Sequence, residues 1–272
     1  VPQAGASTSP WVGRTCGLTA FLVLACVAVF GADESESSPL EHTPFRVAMS
    51  SRLFGEISMN DAKAAIKAWA DTVAKERGIP ADAYPKIVES TGALAGVLRS
   101  NLVDAASMTA DEFAEVSKEI ALDPIFVSVT GGSIFEEYVL LVHRTSPITH
   151  FRELGGRSLS VFQSPRTSLA EFWLDSLLLQ EGLMPAGKSC KSVTRSAKLS
   201  KVVLPVFFHQ TDACLVTRKG LATMSELNPQ VGRQLRIVAL SKELVPTVFC
   251  FRGSYNAKIK AKLFTGLLDL HT

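Results

Sequence analysis

Between residues 45 and 129 the chain alternates between two hydrophobic rhythms. Short apolar runs, FRVAMS (45–50), KIVES (86–90), VDAAS (103–107) and IFVSV (125–129), predict strands. The segments between them carry apolar residues three and four apart. In NDAKAAIKAWADTVAKER (60–77), Ala62, Ile66, Trp69 and Val73 fall on one helix face, and Gly78 and Pro80 mark the stop. GALAGVLRSN (92–101) predicts a short helix. TADEFAEVSKEIA (109–121) predicts another, opened by Thr109 and Glu112 at capping-box spacing. Strands and helices in strict alternation predict a mainly parallel sheet covered by helices on both faces.

A second series follows. YVLLV (138–142) and SLSVF (158–162) predict strands, joined by a short helical connection, TSPITHFRELGGR. Residues 166–180 predict a helix stopped by Gly182, and SAKLSKVVLPVFF a helix with a bend at Pro205. DACLV (212–216) is a strand, RKGLATMSEL (218–227) a helix, and Asn228-Pro229 a break. LRIVAL (235–240) and TVFCFR (247–252) are strands, and YNAKIKAKLFTGLLDL closes the chain as a helix. Two α/β series of similar length predict two lobes, 45–137 and 138–240. Residues 241–272 then cross back and pack their helix on the first lobe. Open α/β sheets bind small ligands beyond the carboxyl ends of their strands, so the two lobes are expected to face one another across a cleft.

The N-terminus follows neither rhythm. Arg14 precedes the apolar run GLTAFLVLACVAVF, and DESESS follows it, the layout of a secretory signal. Residues 1–32 read as a signal peptide or anchor, and 33–44 as a polar linker. Three routes stay open: cleavage after Gly31, a lipoprotein box at Leu24-Ala25-Cys26 with Cys26 lipidated, or an uncut anchor over 15–32, at the ~18 residues where spanning begins. With Arg14 held inside, each sends the remainder out of the cytoplasm, to the periplasm or the exterior. Cys190, Cys214 and Cys250 lie beyond this segment, an odd number without C-x-x-C spacing. They read as three buried unpaired thiols, although one disulfide plus one thiol also suits an oxidising compartment.

Composition narrows the class of partner. A net charge of +2 over 272 residues, with no basic run, removes the electrostatic case for nucleic acid and leaves a small molecule. His42, His143, His150, His209 and His271 show no metal-ligand spacing. There is no Walker loop, dinucleotide fingerprint, G-x-S-x-G elbow or nucleophile–base arrangement. No metal, cofactor or catalysis is therefore expected.

The candidate chemistry lies at the strand-to-helix joints, where helix N-termini leave N–H groups unpaired and suited to an anion. These joints are Ser50-Ser51, Thr91-Gly92 after Ser90, Ser107, the Thr130-Gly131-Gly132-Ser133 loop, and Ser164-Pro165-Arg166-Thr167-Ser168. Each hydroxyl serves equally as an ordinary N-cap. Arg166 does not. A cation in a first turn sits against the positive end of the helix dipole, at roughly 0.3–1 kcal/mol. Its charge calls for a bound anion, or else for Glu171 or Asp175 as partner. Tyr138, Phe135 and Phe54 are placed either on the cleft wall or in the core. Asp212 either orders a neighbouring loop or meets a ligand donor.

GGSIFEEYVLLVHRTSPI, FRELGGRSLSVFQSPRTSLAEFW, QTDACLVTR and VPTVFCFR resemble the phosphate- and phosphonate-binding proteins of ABC importers. These are type II periplasmic binding proteins, grouped with sulfonate-binding proteins and the transferrin-like fold. The resemblance spans about 45–270. It implies two α/β lobes closing on a small oxyanion, which a monomeric protein hands to an ABC permease; the alternative output is a membrane sensor such as a histidine kinase. Phosphonate binders of the family carry a Ser-Thr-Ser-Gly run at the helix start. Here Thr167 and Ser168 keep its middle, Arg166 replaces the first serine and Leu169 the glycine. The added cation widens the expected ligands to sulfonates, carboxylated phosphonates and bulkier anions.

Overall fold

The computed structural model describes residues 44–77, 80–82 and 84–268. The expectations for 1–32 and for the linker through residue 43 lie outside the described residues, as do Gly78 and the closing helix beyond 268. The strands are β1 (Val47–Ser50), β2 (Lys86–Val88), β3 (Ala105–Thr109), β4 (Leu122–Phe126), β5 (Tyr138–His143), β6 (Ser158–Phe162), β7 (Ser192–Ser196), β8 (Ala213–Thr217), β9 (Leu235–Leu240) and β10 (Thr247–Arg252). The helices are α1 (Met59–Arg77), α2 (Thr91–Arg99), α3 (Ala110–Val116), α4 (Ala170–Gln180), α5 (Ala186–Ser189), α6 (Leu199–Phe207), α7 (Arg218–Leu227), α8 (Pro229–Gln234) and α9 (Ala257–Leu268).

Two five-stranded sheets result, ordered β2-β1-β3-β10-β4 and β7-β6-β8-β5-β9. They share one plan. Three strands pair in parallel, and the fourth position holds a strand antiparallel to both neighbours, β10 in one sheet and β5 in the other. The sheets are therefore mixed. Each antiparallel strand is the one that arrives from the other lobe. It enters from the edge where the neighbouring strands end, so it must run against them.

Strand β5 is buried along its whole length, and its side chains alternate between two cores. Tyr138, Leu140 and Val142 meet Leu174 and Leu178 of α4 on one face. Val139 and Leu141 meet Val203 and Val206 of α6 on the other. Full burial of each such side chain is worth about 1.5–3 kcal/mol. The first sheet is covered likewise, by Leu94 and Leu98 of α2 on one face and Leu263 of α9 on the other. Cys214 and Cys250 are buried and Cys190 half-buried, all three free. Loss of water pushes the Cys250 thiol up to about 12.

Three local differences from expectation have physical causes. Strand β7 has no apolar signature because it is a sheet edge with largely exposed side chains. Asn228-Pro229 opens α8 instead of breaking the chain: the Asn228 side chain accepts the Gln230 N–H and Pro229 fills the first turn. Strand β4 starts at Leu122 and tolerates Pro124 because it, too, is an edge.

Two segments, 127–137 and 241–246, connect the lobes and pair with each other. Glu136 and Leu244 exchange backbone hydrogen bonds of 2.8 and 2.9 Å, and the Ser241 hydroxyl accepts the Tyr138 N–H at 2.8 Å. Within the first segment Thr130 and Ser133 bond backbone to backbone, closing a tight reversal at Gly131 (φ 55°) and Gly132 (φ 73°). Two consecutive positive φ values are what a primed hairpin turn requires and what glycine supplies.

Candidate functional site

The strand order brings one set of chain ends together. The carboxyl ends of β1, β3 and β4 and the start of β10 share an edge of the first sheet, and those of β6 and β8 and the start of β5 share an edge of the second. Between these edges lie two cavities. The first, about 510 Å³, runs from Arg52 and Gly55 of the first lobe to Gln163, Ser164, Thr167 and Ser168 of the second. The second, about 690 Å³, is walled by Met49, Phe54, Trp69, Phe126, Val127 and Phe249, with Ser107, Ser128 and Thr247 supplying hydroxyls and Arg166 entering from the second lobe. The lobes approach at the rim, where a Cβ added to Gly55 (φ 55°) would stand 3.7 Å from Pro165 Cδ. Both volumes lie in the range of small-molecule sites.

Arg166 is the pivot of this geometry. Its compensating charge is Glu136, from the crossing segment, and neither Glu171 nor Asp175. Nε and Nη2 of Arg166 donate to Glu136 Oε1 at 3.1 and 2.7 Å, and Nη2 also reaches the Phe135 carbonyl at 3.0 Å. The arginine side chain is 16 % exposed and the glutamate 3 %. Lys219 Nζ lies 3.4 Å from the same carboxylate oxygen, so one buried anion is shared by two cations. Nη1 of Arg166 is buried without a partner. A charged donor in that state costs about 1–3 kcal/mol or more. Glu171 instead pairs with Arg195, and Asp175 accepts the Ala186 N–H.

The loop bearing Arg166 is fixed from below. Tyr138, fully buried, donates its hydroxyl to the Arg166 carbonyl at 3.0 Å. Burial drives the phenol's pKa well above its ordinary value, so it stays a donor. Tyr138 therefore belongs to the core and supports the loop; it is not on the cleft wall. Thr167 Oγ1 accepts the Ser164 N–H at 2.8 Å, and the Ser168 hydroxyl donates to the Pro246 carbonyl in the returning segment at 2.9 Å.

The other sequence candidates divide. Ser107 lines the larger cavity, and Ser164, Thr167 and Ser168 the smaller. Ser50 is buried and donates to Glu112 Oε1 at 2.8 Å, while Glu112 Oε2 accepts the Thr109 hydroxyl and N–H. Its hydroxyl is spent on the fold. Ser51 begins the turn beside it, and Thr91 and Gly92 open α2; these three line neither cavity. The Ser133 hydroxyl is tied to the Phe135 backbone and lines a smaller recess of about 300 Å³ with Phe135, Arg218 and Lys219. Asp212 stands at the opposite edge of its sheet, before β8, where its carboxylate accepts the Ser158 N–H and hydroxyl at 2.8 and 2.6 Å. It orders a joint and is remote from the cleft. Among the described residues no His, Cys, Asp and Glu cluster suits a metal ion.

Sequence reasoning missed Glu136, the aromatic wall of Trp69, Phe126 and Phe249, and the paired hydroxyls of Ser128 and Thr247, 2.5 Å apart. Glu136 left only a faint trace, an acidic residue two positions before a strand that is buried along its whole length. The aromatics left none, because a cleft wall and a core face share the same spacing.

The family model described as the periplasmic substrate-binding protein of phosphonate ABC transporters matches residues 54–272. No curated protein matches the chain. Among solved structures, a Xanthomonas citri protein bound to ATP is 19% identical with a TM-score of 0.59, over 82% of each chain. PhnD1 from Prochlorococcus marinus in complex with methylphosphonate is 13% identical with a TM-score of 0.54, over 83% of this chain and 84% of its own. A binding-protein component of an ABC phosphonate transporter from Pseudomonas aeruginosa is 15% identical with a TM-score of 0.51, over 81% and 72%. These neighbours share the fold of type II periplasmic binding proteins. With two lobes of matching plan and the family's model covering most of its length, this chain belongs to the periplasmic substrate-binding proteins of ABC phosphonate transporters.

Proposed function

We propose that the protein captures a small oxyanion of the phosphonate class in the cleft and delivers it, outside the cytoplasm, to an ABC permease. The supporting observation is Arg166, the charged residue on the wall of a cavity that also presents the hydroxyls of Ser107, Ser128 and Thr247, its Nη1 buried and without a partner. In this reading a small shift on lobe closure opens Nη1 to the anion, while Glu136 holds Nε and Nη2 in place. Ser164, Thr167 and Ser168 shape the neighbouring wall. Closure of the lobes excludes water and strengthens each hydrogen bond to the anion. Charge-assisted bonds of about 1.5–3 kcal/mol each bring micromolar affinity within reach of four or five contacts.

Calorimetric titration with methylphosphonate tests the proposal. The wild-type protein should bind, and a ligand at one hundred times its Kd should add ~2.7 kcal/mol to unfolding stability. Arg166→Ala should weaken binding at least tenfold, about 1.4 kcal/mol. Unchanged affinity in that variant removes Arg166 from the site.

A further inference from the structure

We infer that the ligand's organic group is uncharged and apolar, with an aromatic or branched alkyl body in place of an aminoalkyl arm. This rests on the reading of the cleft as an oxyanion site and specifies what the anion carries. The cavity beyond Arg166 is lined by Met49, Phe54, Trp69, Phe126, Val127 and Phe249. Among the described residues that line it, Arg166 alone is charged. An ammonium group placed there would be stripped of water with no carboxylate to receive it, since Glu136 is buried behind Arg166 and already shared with Lys219.

The aromatic wall is built to receive a flat or bulky apolar group. Phe126 lies with its ring centroid 5.9 Å from that of Phe249 at 54°, and stacks at 5.4 Å on Phe264 behind it, so the floor is held by its own packing. Trp69, on α1, is 38 % exposed, although the helix buries Ala62, Ile66 and Ala70. An indole left open to a concave apolar space is a surface that gains by being covered. The space is also large, at about 690 Å³, for a phosphonate with a single methyl group.

Four ligands at equal concentration separate the possibilities by calorimetry: methylphosphonate, phenylphosphonate, propylphosphonate and 2-aminoethylphosphonate. The last two match in heavy-atom count and differ in the ammonium group. Phenylphosphonate should bind at least tenfold tighter than methylphosphonate, and propylphosphonate at least tenfold tighter than the aminoethyl compound. Trp69→Ala should cut the phenyl-over-methyl ratio at least threefold, and Trp69→Phe should retain most of it. If aminoethyl- or methylphosphonate binds as well as its apolar counterpart, the inference is overturned while the oxyanion site stands. If none of the four binds, both fall.

Discussion

Replacing Glu136 by glutamine tests the central electrostatic arrangement, because it keeps the shape of the side chain and deletes its charge. In the wild-type protein one oxygen of this carboxylate takes hydrogen bonds from Arg166 at 3.1 and 2.7 Å and faces Lys219 at 3.4 Å. Arg166 stays ionised, so its bonds to the amide oxygen remain charge-assisted, but the buried guanidinium loses its counter-charge, and breaking such a pair costs about 3–5 kcal/mol. In a chain of this size that lowers Tm by roughly 6–20 °C. Affinity should move the other way. An anion on Nη1 would sit roughly 5–7 Å from the Glu136 carboxylate, where unit charges repel by about 2–3 kcal/mol at an effective dielectric of 20. Relief of even half of that tightens binding about tenfold. Glu136→Gln is thus expected to be less stable empty and to hold anion more tightly. Differential scanning fluorimetry and calorimetry with methylphosphonate read the two effects separately. A variant with unchanged Tm and unchanged affinity would refute the account of Glu136 as the counter-charge that positions Arg166.

Two further substitutions probe the frame. Gly132 has φ 73° and open space around a built Cβ, so Gly132→Ala is penalised by backbone conformation alone, at about 1–2 kcal/mol. Gly132→Asn should lose less, and equal Tm values for both variants and wild type would contradict a primed turn at this joint. The Asp212 carboxyl is pulled upward by partial burial, but the Ser158 hydroxyl and N–H, with Arg157 and Lys191, outweigh that and hold it below the usual 3.8. A depressed folded-state value contributes stability that is present above 3.8 and lost as pH falls through the lower value. Asp212→Asn should therefore flatten the acid limb of a Tm–pH curve roughly between pH 5 and 2, and an unaltered limb would exclude this pair.

Much of the architecture was legible because burial on both faces leaves a strong imprint. YVLLV, DACLV and TVFCFR announce strands wherever they are read, and both lobes follow from their rhythm. The antiparallel placement of β5 and β10 was not legible from any local pattern, since it depends on which lobe the preceding strand belongs to. Strand β7 escaped notice for the opposite reason: SVTRS lies at an edge and buries little. The arginine makes the joint at 164–168 legible as chemically unusual. The identity of its partner is not legible, because Glu136 lies 30 residues away and meets Arg166 only once β5 stands beside β8. Hydroxyls were the weakest signal. Ser50 and Ser107 look alike in sequence, yet one is consumed by Glu112 and the other opens on the cavity.

The insertion of β10 between β3 and β4 bears on the order in which the molecule assembles. Every strand of the second sheet lies within 138–240, so that half can acquire its hydrogen-bond ladder as soon as those residues are available. The other half is interrupted: Leu122–Phe126 has no neighbour in its sheet until Thr247–Arg252 arrives more than a hundred residues later. As the chain emerges from its N-terminal end, the lobe read first is completed last, and a polypeptide stopped short of Thr247 leaves Phe126 and its strand without a surface to join.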